Sequence, residues 1–413
     1  MPIVGHYQTS GTEPVQPRRV AVVVGGAGAR GGYEAGALSV LVPRLRAAGC
    51  EPRVYVGSGA GAITATLYAA SAHLPPAEQA QQVLDLWGTI CVSEVYRSPL
   101  ITLPGVAAHL VGQVSRLPRV RLTHLLDTAP LRRTVQHAID LPRLRDNIAD
   151  HSLTLAVVTT SGNDNRTIVF VDRDDGVPVP ASDDERPLDY VGVRIQPEHV
   201  LASCAIPVLF PAVRVRKPSG SPGWYLDGRL RLHAPLKPAL ALDADALIVV
   251  ATHPMRDTTT TPQAGGLAPD VDDILTELVD SVSDRMVEDV RTLDKINALV
   301  RIDELVATAT GRLRKKIPYV FVGPAHSQTL GRLALEVLHR KPRYSGALAH
   351  RLRQLESRLM AHALKGDGPR RGDLVSYLYF DQEFLHACIQ LGQRDANALL
   401  NGVLPDEVPW RVH

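Results

Sequence analysis

Cysteine is scarce: four residues in a chain of 413. Cys50, Cys91, Cys204 and Cys388 stand alone, and none forms a C-x-x-C pair, which excludes a zinc or redox site of that type. Their wide spacing fits buried reduced thiols better than a disulfide framework. The 15 histidines show no H-E-x-x-H or related spacing, so neither a metal nor another cofactor is expected. Long apolar runs are also missing; no stretch approaches the ~20 residues that span a bilayer. The first residues, MPIVGHYQTSGTEPVQPRR, have no apolar h-region, so no secretory signal is read and the cytosol is the expected location. Charge of one sign is lacking too. Lys plus Arg number 45 against 43 acidic residues, a net charge of +2. That excludes a strong global attraction to nucleic acid or to an anionic membrane.

What is present is a balanced soluble composition, 45% hydrophobic and 21% charged, with apolar side chains enough for a sizeable core. The length allows one large domain or two ordinary ones. The 32 glycines and 31 prolines are spread along the chain, without repeats or low-complexity tracts. Residues 1–18 are polar and read as a mobile arm. Val20-Ala21-Val22-Val23-Val24 is then an apolar, β-branched run that stops at glycines, as a short buried strand does. Ala37, Leu38, Val40, Leu41 and Leu45 recur at helical spacing, Val54-Tyr55-Val56 is a second strand, and Ala60–Ala70 a helix of small residues. Strand, glycine turn, helix, repeated once, is the beginning of an α/β parallel sheet.

Further along, residues 76–91 predict a helix, and Leu153–Val158 and Thr167–Val171 predict strands. Asp172–Pro187 reads as an exposed loop, and Val213–Arg216 with Gly223–Leu226 as a hairpin. Ala246–Ala251 and Tyr319–Val322 read as strands, Thr258–Asp272 as a linker or flexible loop, and residues 273–300 as an amphipathic helix.

The two glycine turns carry the chemistry. The first, Gly25-Gly26-Ala27-Gly28-Ala29-Arg30-Gly31-Gly32, contains G-x-G-x-x-G between a strand and a helix, where backbone N–H groups can hold an anion. A tight turn that needs glycine for its dihedral angles is the plain alternative. A dinucleotide site would place an acidic residue at the end of the second strand; Glu51 has about the right offset but precedes that strand, so this reading loses. The second turn, Gly57-Ser58-Gly59-Ala60-Gly61, has the outer glycines of a G-x-S-x-G nucleophile elbow. Its apex is Gly59, however, and Ser58 sits one place too early.

This pair of turns resembles the patatin-like phospholipases, serine lipid acyl hydrolases of α/β fold. Gly26-Ala27-Gly28-Ala29-Arg30-Gly31 resembles the family's oxyanion loop, and Gly57–Gly61 its elbow, except at the nucleophile. Asp127–Arg132, Ala202–Pro207 and Phe210-Pro211 resemble intervening family segments. Trp224-Tyr225-Leu226-Asp227-Gly228 resembles the element of the catalytic aspartate. The likeness covers about residues 19–240, with weaker likeness over Phe384–Ala396. It implies a patatin-like parallel-sheet core flanked by helices over residues 19–255. A mainly helical C-terminal extension, 256–413, would pack on that core.

It also implies roles. The family's serine is activated by the aspartate, and loop amides stabilise the oxyanion. Asp227 takes the proton-acceptor position, with the first residue of an Asp-Gly turn as the alternative. Gly26, Ala27, Gly28, Ala29, Arg30 and Gly31 take the loop; Gly57, Ser58, Ala60 and Gly61 take the elbow. Arg30 either fixes the loop through an ion pair or attracts anionic headgroups. Three departures stand out. Gly59 cannot be acylated, Arg229 replaces the usual glycine or alanine beside Gly228, and His233 replaces asparagine. Arg229, two residues from Asp227, would weaken that carboxylate as a base. Losing one member of a nucleophile unit costs roughly 10⁴–10⁶ in rate while binding can survive.

Three readings follow. The chain is a lipid acyl hydrolase homologue without its nucleophile that binds acyl chains or a lipid-like metabolite. Or it is an enzyme in which Asp227 acts as general acid or base in water-mediated hydrolysis, isomerisation or cyclisation. Or it is an ordinary hydrolase with an engineered Gly59. The expected partner is a lipid or lipid-like small molecule, not nucleic acid, and peripheral membrane contact stays open. Leu100–Val120 reads as a lid or acyl-chain wall, or else as a core-facing helix. Gly311–Lys316 is a basic cluster, by default a solvated surface run. The sequence does not fix the oligomeric state.

Overall fold

The computed structural model describes residues 19–97, 124–230, 236–255, 285–299, 316–340 and 372–412. The N-terminal arm, Leu100–Val120, the Thr258–Asp272 linker, His233 and all of Gly311–Lys316 but Lys316 lie outside them.

The described chain runs β1 (Val20–Val24), α1 (Gly31–Ala47), β2 (Pro52–Ser58), α2 (Gly61–Ala70), α3 (Pro76–Thr89) and α4 (Val92–Val95). It continues through α5 (Ala129–Ala138), α6 (Leu141–His151), β3 (Thr154–Ser161), β4 (Thr167–Asp172), β5 (Leu188–Gly192) and α7 (Pro197–Ser203). Then come β6 (Val213–Val215), β7 (Gly223–Asp227), a 3-10 turn at Gly228–Leu230, α8 (Leu236–Ala241), β8 (Ala246–Val250) and α9 (Arg285–Leu299). The last elements are β9 (Tyr319–Val322), α10 (Thr329–Arg340), α11 (Asp373–Leu378) and α12 (Gln382–Leu400).

One mostly parallel sheet holds the strands in the order β5-β4-β3-β2-β1-β8-β9, with the β6–β7 hairpin branching from β3. Its central strands read as continuous apolar runs because both faces are covered; every residue of β1, β3, β4 and β8 is buried. One core lies on the side of α1, α2 and α12, and a second lies between the sheet and α8 and α9. The α/β parallel-sheet expectation holds. The predicted strands all appear, β3–β4 forms an antiparallel hairpin, and β6–β7 forms another. The chain past residue 255 does more than add helices. Its strand β9 pairs with β8 in the same sheet, Leu247 opposite Tyr319. Its helix α12 lies along α1 so closely that a Cβ on Gly36 would fall 2.1 Å from the Ile389 carbonyl oxygen, and one on Gly392 2.1 Å from that of Tyr33.

The sheet places the site through a change of partner along β3. Strand β2 pairs with β3 up to Ser58 opposite Val158, and there β2 ends. Strand β7 takes over from the opposite direction, with Asp227 opposite Thr159. The turn after β2 and the end of β7 therefore meet head to head. Thr160 fixes the junction by donating from its hydroxyl to the Asp227 carbonyl, 3.0 Å, and the Asp227 amide donates to the Ala205 carbonyl, 2.9 Å.

Candidate functional site

Gly59 sits at the apex of the β2–α2 turn with φ +55°, a left-handed conformation that favours glycine. A Cβ there would lie 2.9 Å from Arg229 Nε, 3.3 Å from its Cζ and 3.3 Å from Asp227 Oδ2. The apex thus points straight at the Asp227–Arg229 pair. What it meets is a guanidinium lying where a side chain at the apex would go.

That pair is a buried, multidentate ion pair. Arg229 Nη2 donates to Asp227 Oδ2 at 2.9 Å, Nε reaches both carboxylate oxygens at 3.3 Å, and the Arg229 amide donates to Oδ1 at 2.9 Å. Asp227 is 2% exposed and Arg229 5%. Burial by itself would lower the arginine's proton affinity; the adjoining Asp227 charge and hydrogen bonds outweigh it and raise the pKa above its ordinary value. The remaining guanidinium arm, Nη1, donates to the Gly26 carbonyl at 2.7 Å, so Arg229 also ties the first glycine turn to the aspartate. Among the described residues these bonds leave one N–H over on each terminal nitrogen.

The first turn is held from several directions. Gly26 and Gly28 have φ +66° and +59°. Gly26 packs on the second turn, where a Cβ would sit 2.1 Å from the Gly61 amide nitrogen, and Gly28 packs under the Tyr377 carbonyl, again at 2.1 Å. The Gly26 amide donates to Glu34 Oε1 at 2.7 Å. Glu34 is 1% exposed, and burial pushes its pKa from 4.5 up to about 8, with the Gly26 hydrogen bond and the Arg229 charge pulling the other way. Its second oxygen is buried without a partner among the described residues.

Arg30 resolves in favour of a structural role, and the headgroup reading is corrected. It is fully buried, pairs with Asp373 Oδ1 at 2.8 Å, donates from Nε to Ser376 Oγ at 2.7 Å, and stacks 4.1 Å from the Tyr377 ring centroid. No headgroup reaches such a cation. Three loop amides are likewise engaged: Ala29 donates to the Tyr377 carbonyl at 2.9 Å, Arg30 to that of Ala27 and Gly31 to that of Gly28. Gly28 is the loop residue that lines the cavity described next.

The cavity is narrow, about 30 Å³, and mostly apolar. Ile63, Trp87, Val95, Leu131, Phe210 and Phe380 are among its apolar walls; Thr134, Cys204, Asp227 and Arg229 are its polar side chains, and Gly28 lines it from the first turn. Ser58 is excluded from it: the side chain is fully buried and its hydroxyl has no partner among the described residues. Cys204 is a buried thiol, as expected, and donates to the Gly59 carbonyl at 3.2 Å; burial pushes its pKa well up, away from nucleophile chemistry.

Several members were not found from sequence. Ser203 accepts from the Gly59 amide at 3.0 Å and donates to the Val158 carbonyl at 2.6 Å, so it holds the apex against β3. Glu34 is disguised by its place in a helix. Asp373, Ser376 and Tyr377 lie some 340 residues from the loop they hold, a distance no local signal bridges. Among the described residues no group of His, Cys, Asp and Glu could hold a metal ion, and no helix is long and apolar enough to cross a membrane.

A search of curated proteins finds no match. Among solved structures, VipD from Legionella pneumophila is similar at 12% identity, covering 90% of this chain and 67% of that one, with TM-score 0.30. The heterodimeric ExoU–SpcU complex from the type III secretion system of Pseudomonas aeruginosa is similar at 16% identity, covering 95% and 73%, with TM-score 0.28. The family model for patatin-like phospholipases matches residues 22–240. That span takes in both glycine turns and the Asp227–Arg229 pair, and is more than half of the 413 residues. The chain belongs to the patatin-like phospholipase family.

Proposed function

We propose that this chain keeps the family's acyl-binding pocket and has given up its serine-type hydrolysis, so that it binds a lipid-like molecule without cleaving it. The observation that carries this reading is the guanidinium 2.9 Å from where a Cβ at residue 59 would stand. Gly59 and Arg229 are one arrangement. Absence of a side chain at the apex makes room for the arginine, and the arginine occupies the carboxylate that would have taken the nucleophile's proton. A lone engineered substitution at 59 accounts for the first change and not the second. The same pairing disfavours Asp227 as a base toward water, because both its oxygens already accept from Arg229.

Peripheral contact with a membrane belongs to this reading. Val208 is 57% exposed and Leu125 37%, and the Leu125 amide donates to the Val208 carbonyl at 3.0 Å. Two apolar side chains thus face solvent side by side, and one of them, Val208, lies in the chain between two cavity-lining residues, Ile206 and Phe210.

The test is ester hydrolysis by four proteins: wild type, Gly59→Ser, Arg229→Ala and the double variant, each checked for folding by near-ultraviolet circular dichroism. Wild type and both single variants are expected to leave p-nitrophenyl butyrate and mixed phospholipids intact. The double variant alone has a free apex serine beside an uncovered Asp227, and is expected to gain burst-phase hydrolysis. Turnover by wild type sinks the non-hydrolytic reading. Turnover by Gly59→Ser alone shows that Arg229 does not block the site.

A further inference from the structure

The β6–β7 hairpin has one face in the core and one face bare, and its strands alternate accordingly. Val213, Val215 and Tyr225 are buried. Arg214 and Trp224, directly opposite each other in the register, point the other way. Trp224 is 50% exposed, and Arg214 is exposed, with exposed Arg216 and Lys217 following it. Among the described residues none of these three cations has an ion pair or a side-chain hydrogen bond; Lys217 is engaged through its carbonyl, which accepts from His199 Nε2 at 2.9 Å. Two acids flank the hairpin: Asp164, close enough to act on Tyr225, and Glu198, close enough to act on His199. In sequence, residues 98–123 and 231–235, which lead toward Leu125 and away from Leu230, hold four arginines and two histidines and no acid.

The hairpin stands at the cavity's end of the sheet. Strand β7 begins beyond the last residue of β3, Ser161, where the Gly162 amide donates to the Trp224 carbonyl at 2.8 Å. It then runs inward to Asp227 at the cavity. Val208, Trp224 and Leu230, all exposed, each lie within three residues of a cavity-lining residue. Strands of three and five residues make a ribbon face of about 17 Å by 10 Å. That is far below the roughly 800 Å² per partner of a stable protein interface. A bilayer asks for less: an indole at headgroup level and cations against its phosphates, with their stems along the apolar surface. We propose that the outer face of the β6–β7 hairpin docks on an anionic phospholipid bilayer. Trp224 enters the headgroup layer, Arg214, Arg216 and Lys217 meet acidic headgroups, and the cavity's end of the molecule is brought to the lipid. This rests on the lipid-binding reading above and names the surface that presents the lipid.

The test is flotation of the full chain with two kinds of vesicle, phosphatidylcholine alone and an equal mixture with phosphatidylserine. At low salt the wild type is expected to bind the mixed vesicles at least about tenfold more tightly, and to lose that margin at high salt. Arg214→Gln combined with Arg216→Gln and Lys217→Gln, all at exposed positions, is expected to bring the two compositions within about twofold. Trp224→Ser is expected to weaken binding to both severalfold while keeping the margin, which separates the indole from the charge. An unchanged margin in the triple variant overturns the proposal and moves the contact to another basic run. Equal wild-type binding to both compositions overturns it too and leaves an acidic protein as the partner of this face, while the Val208 contact stands. Binding to neither overturns both membrane contacts and leaves the pocket reading to its own hydrolysis test.

Discussion

The two glycine turns have the same parts and are glycine-rich for different reasons. In the first, Gly26 and Gly28 face backbone: an amide nitrogen and a carbonyl oxygen each 2.1 Å from where a Cβ would stand. Neither neighbour can step aside. In the second, Gly59 faces a side chain, the guanidinium of Arg229 at 2.9 Å, which can move. The arginines differ in the same way. Arg30 is anchored on a segment at the far end of the chain and holds architecture together. Arg229 is anchored on a carboxylate two residues away and takes up the place that a side chain at residue 59 would fill. The first turn is therefore fixed by the fold, and the apex of the second is a chemical choice that the fold permits.

The largest expected effect breaks the first turn's anchor. Arg30→Met keeps the bulk of the side chain and removes the cationic member of the ion pair with Asp373, which is 5% exposed. Removing one partner of a buried pair costs about 3–5 kcal/mol, and urea unfolding at neutral pH should show a loss of that size. A loss under about 1 kcal/mol would mean that the pair is not what holds the C-terminal segment on the loop.

Alanine at the two positive-φ apices comes next. Gly59→Ala has the strain of a left-handed residue, about 1–2 kcal/mol, and displaces only a side chain. Gly28→Ala has the same strain plus a backbone collision at 2.1 Å, for which overpacking adds about 1–3 kcal/mol. Thermal melts of the two variants side by side decide it. Equal costs would erase the distinction between the turns.

The architecture was legible because parallel strands covered on both faces must be apolar throughout, as Val20–Val24 and Ala246–Val250 are. Both turns were legible because left-handed backbone at Gly26, Gly28 and Gly59 calls for glycine. Strand β5 escaped because Asp189 and Gly192 break its apolar pattern and its outer position buries it only in part. Within the site, sequence placed Gly59, Asp227 and Arg229 in one neighbourhood but could not orient Arg229, since a side chain two residues away can point to either face. Ser203 and Glu34 each look like an ordinary polar residue in a helix. Their roles come from the amides of Gly59 and Gly26, which only the folded chain brings to them.

Glu34 offers a smaller, pH-dependent effect on the first turn. Its pKa is raised from 4.5 to about 8 in the folded chain, so the folded state binds more protons than the unfolded state between those values. Stability then falls as pH rises through that window. Glu34→Gln keeps an oxygen to accept from the Gly26 amide and removes the ionisation. The gain of the variant over wild type is expected to grow from pH 5 to pH 8, measured by denaturant unfolding at each pH. A constant difference across that range would show that Glu34 does not titrate there.

The smallest effect concerns a residue that is left-handed without being glycine. Val208 has φ +69°, which is costly for a β-branched side chain, yet it is 57% exposed and so gains little from packing. Val208→Gly relieves strain worth about 1–3 kcal/mol and gives back about 0.4–1 kcal/mol through the greater freedom of the unfolded chain. The net expectation is a stabilisation of about 1 kcal/mol. Glycine at 26 and 28 answers a demand of the backbone; valine at 208 runs against one, and the proposed return is an apolar side chain presented beside the cavity. The variant should therefore be more stable and should partition less onto phosphatidylcholine vesicles in a flotation assay. A more stable variant with unchanged partition would leave the strain at Val208 without a membrane role and place any interfacial contact elsewhere on the chain.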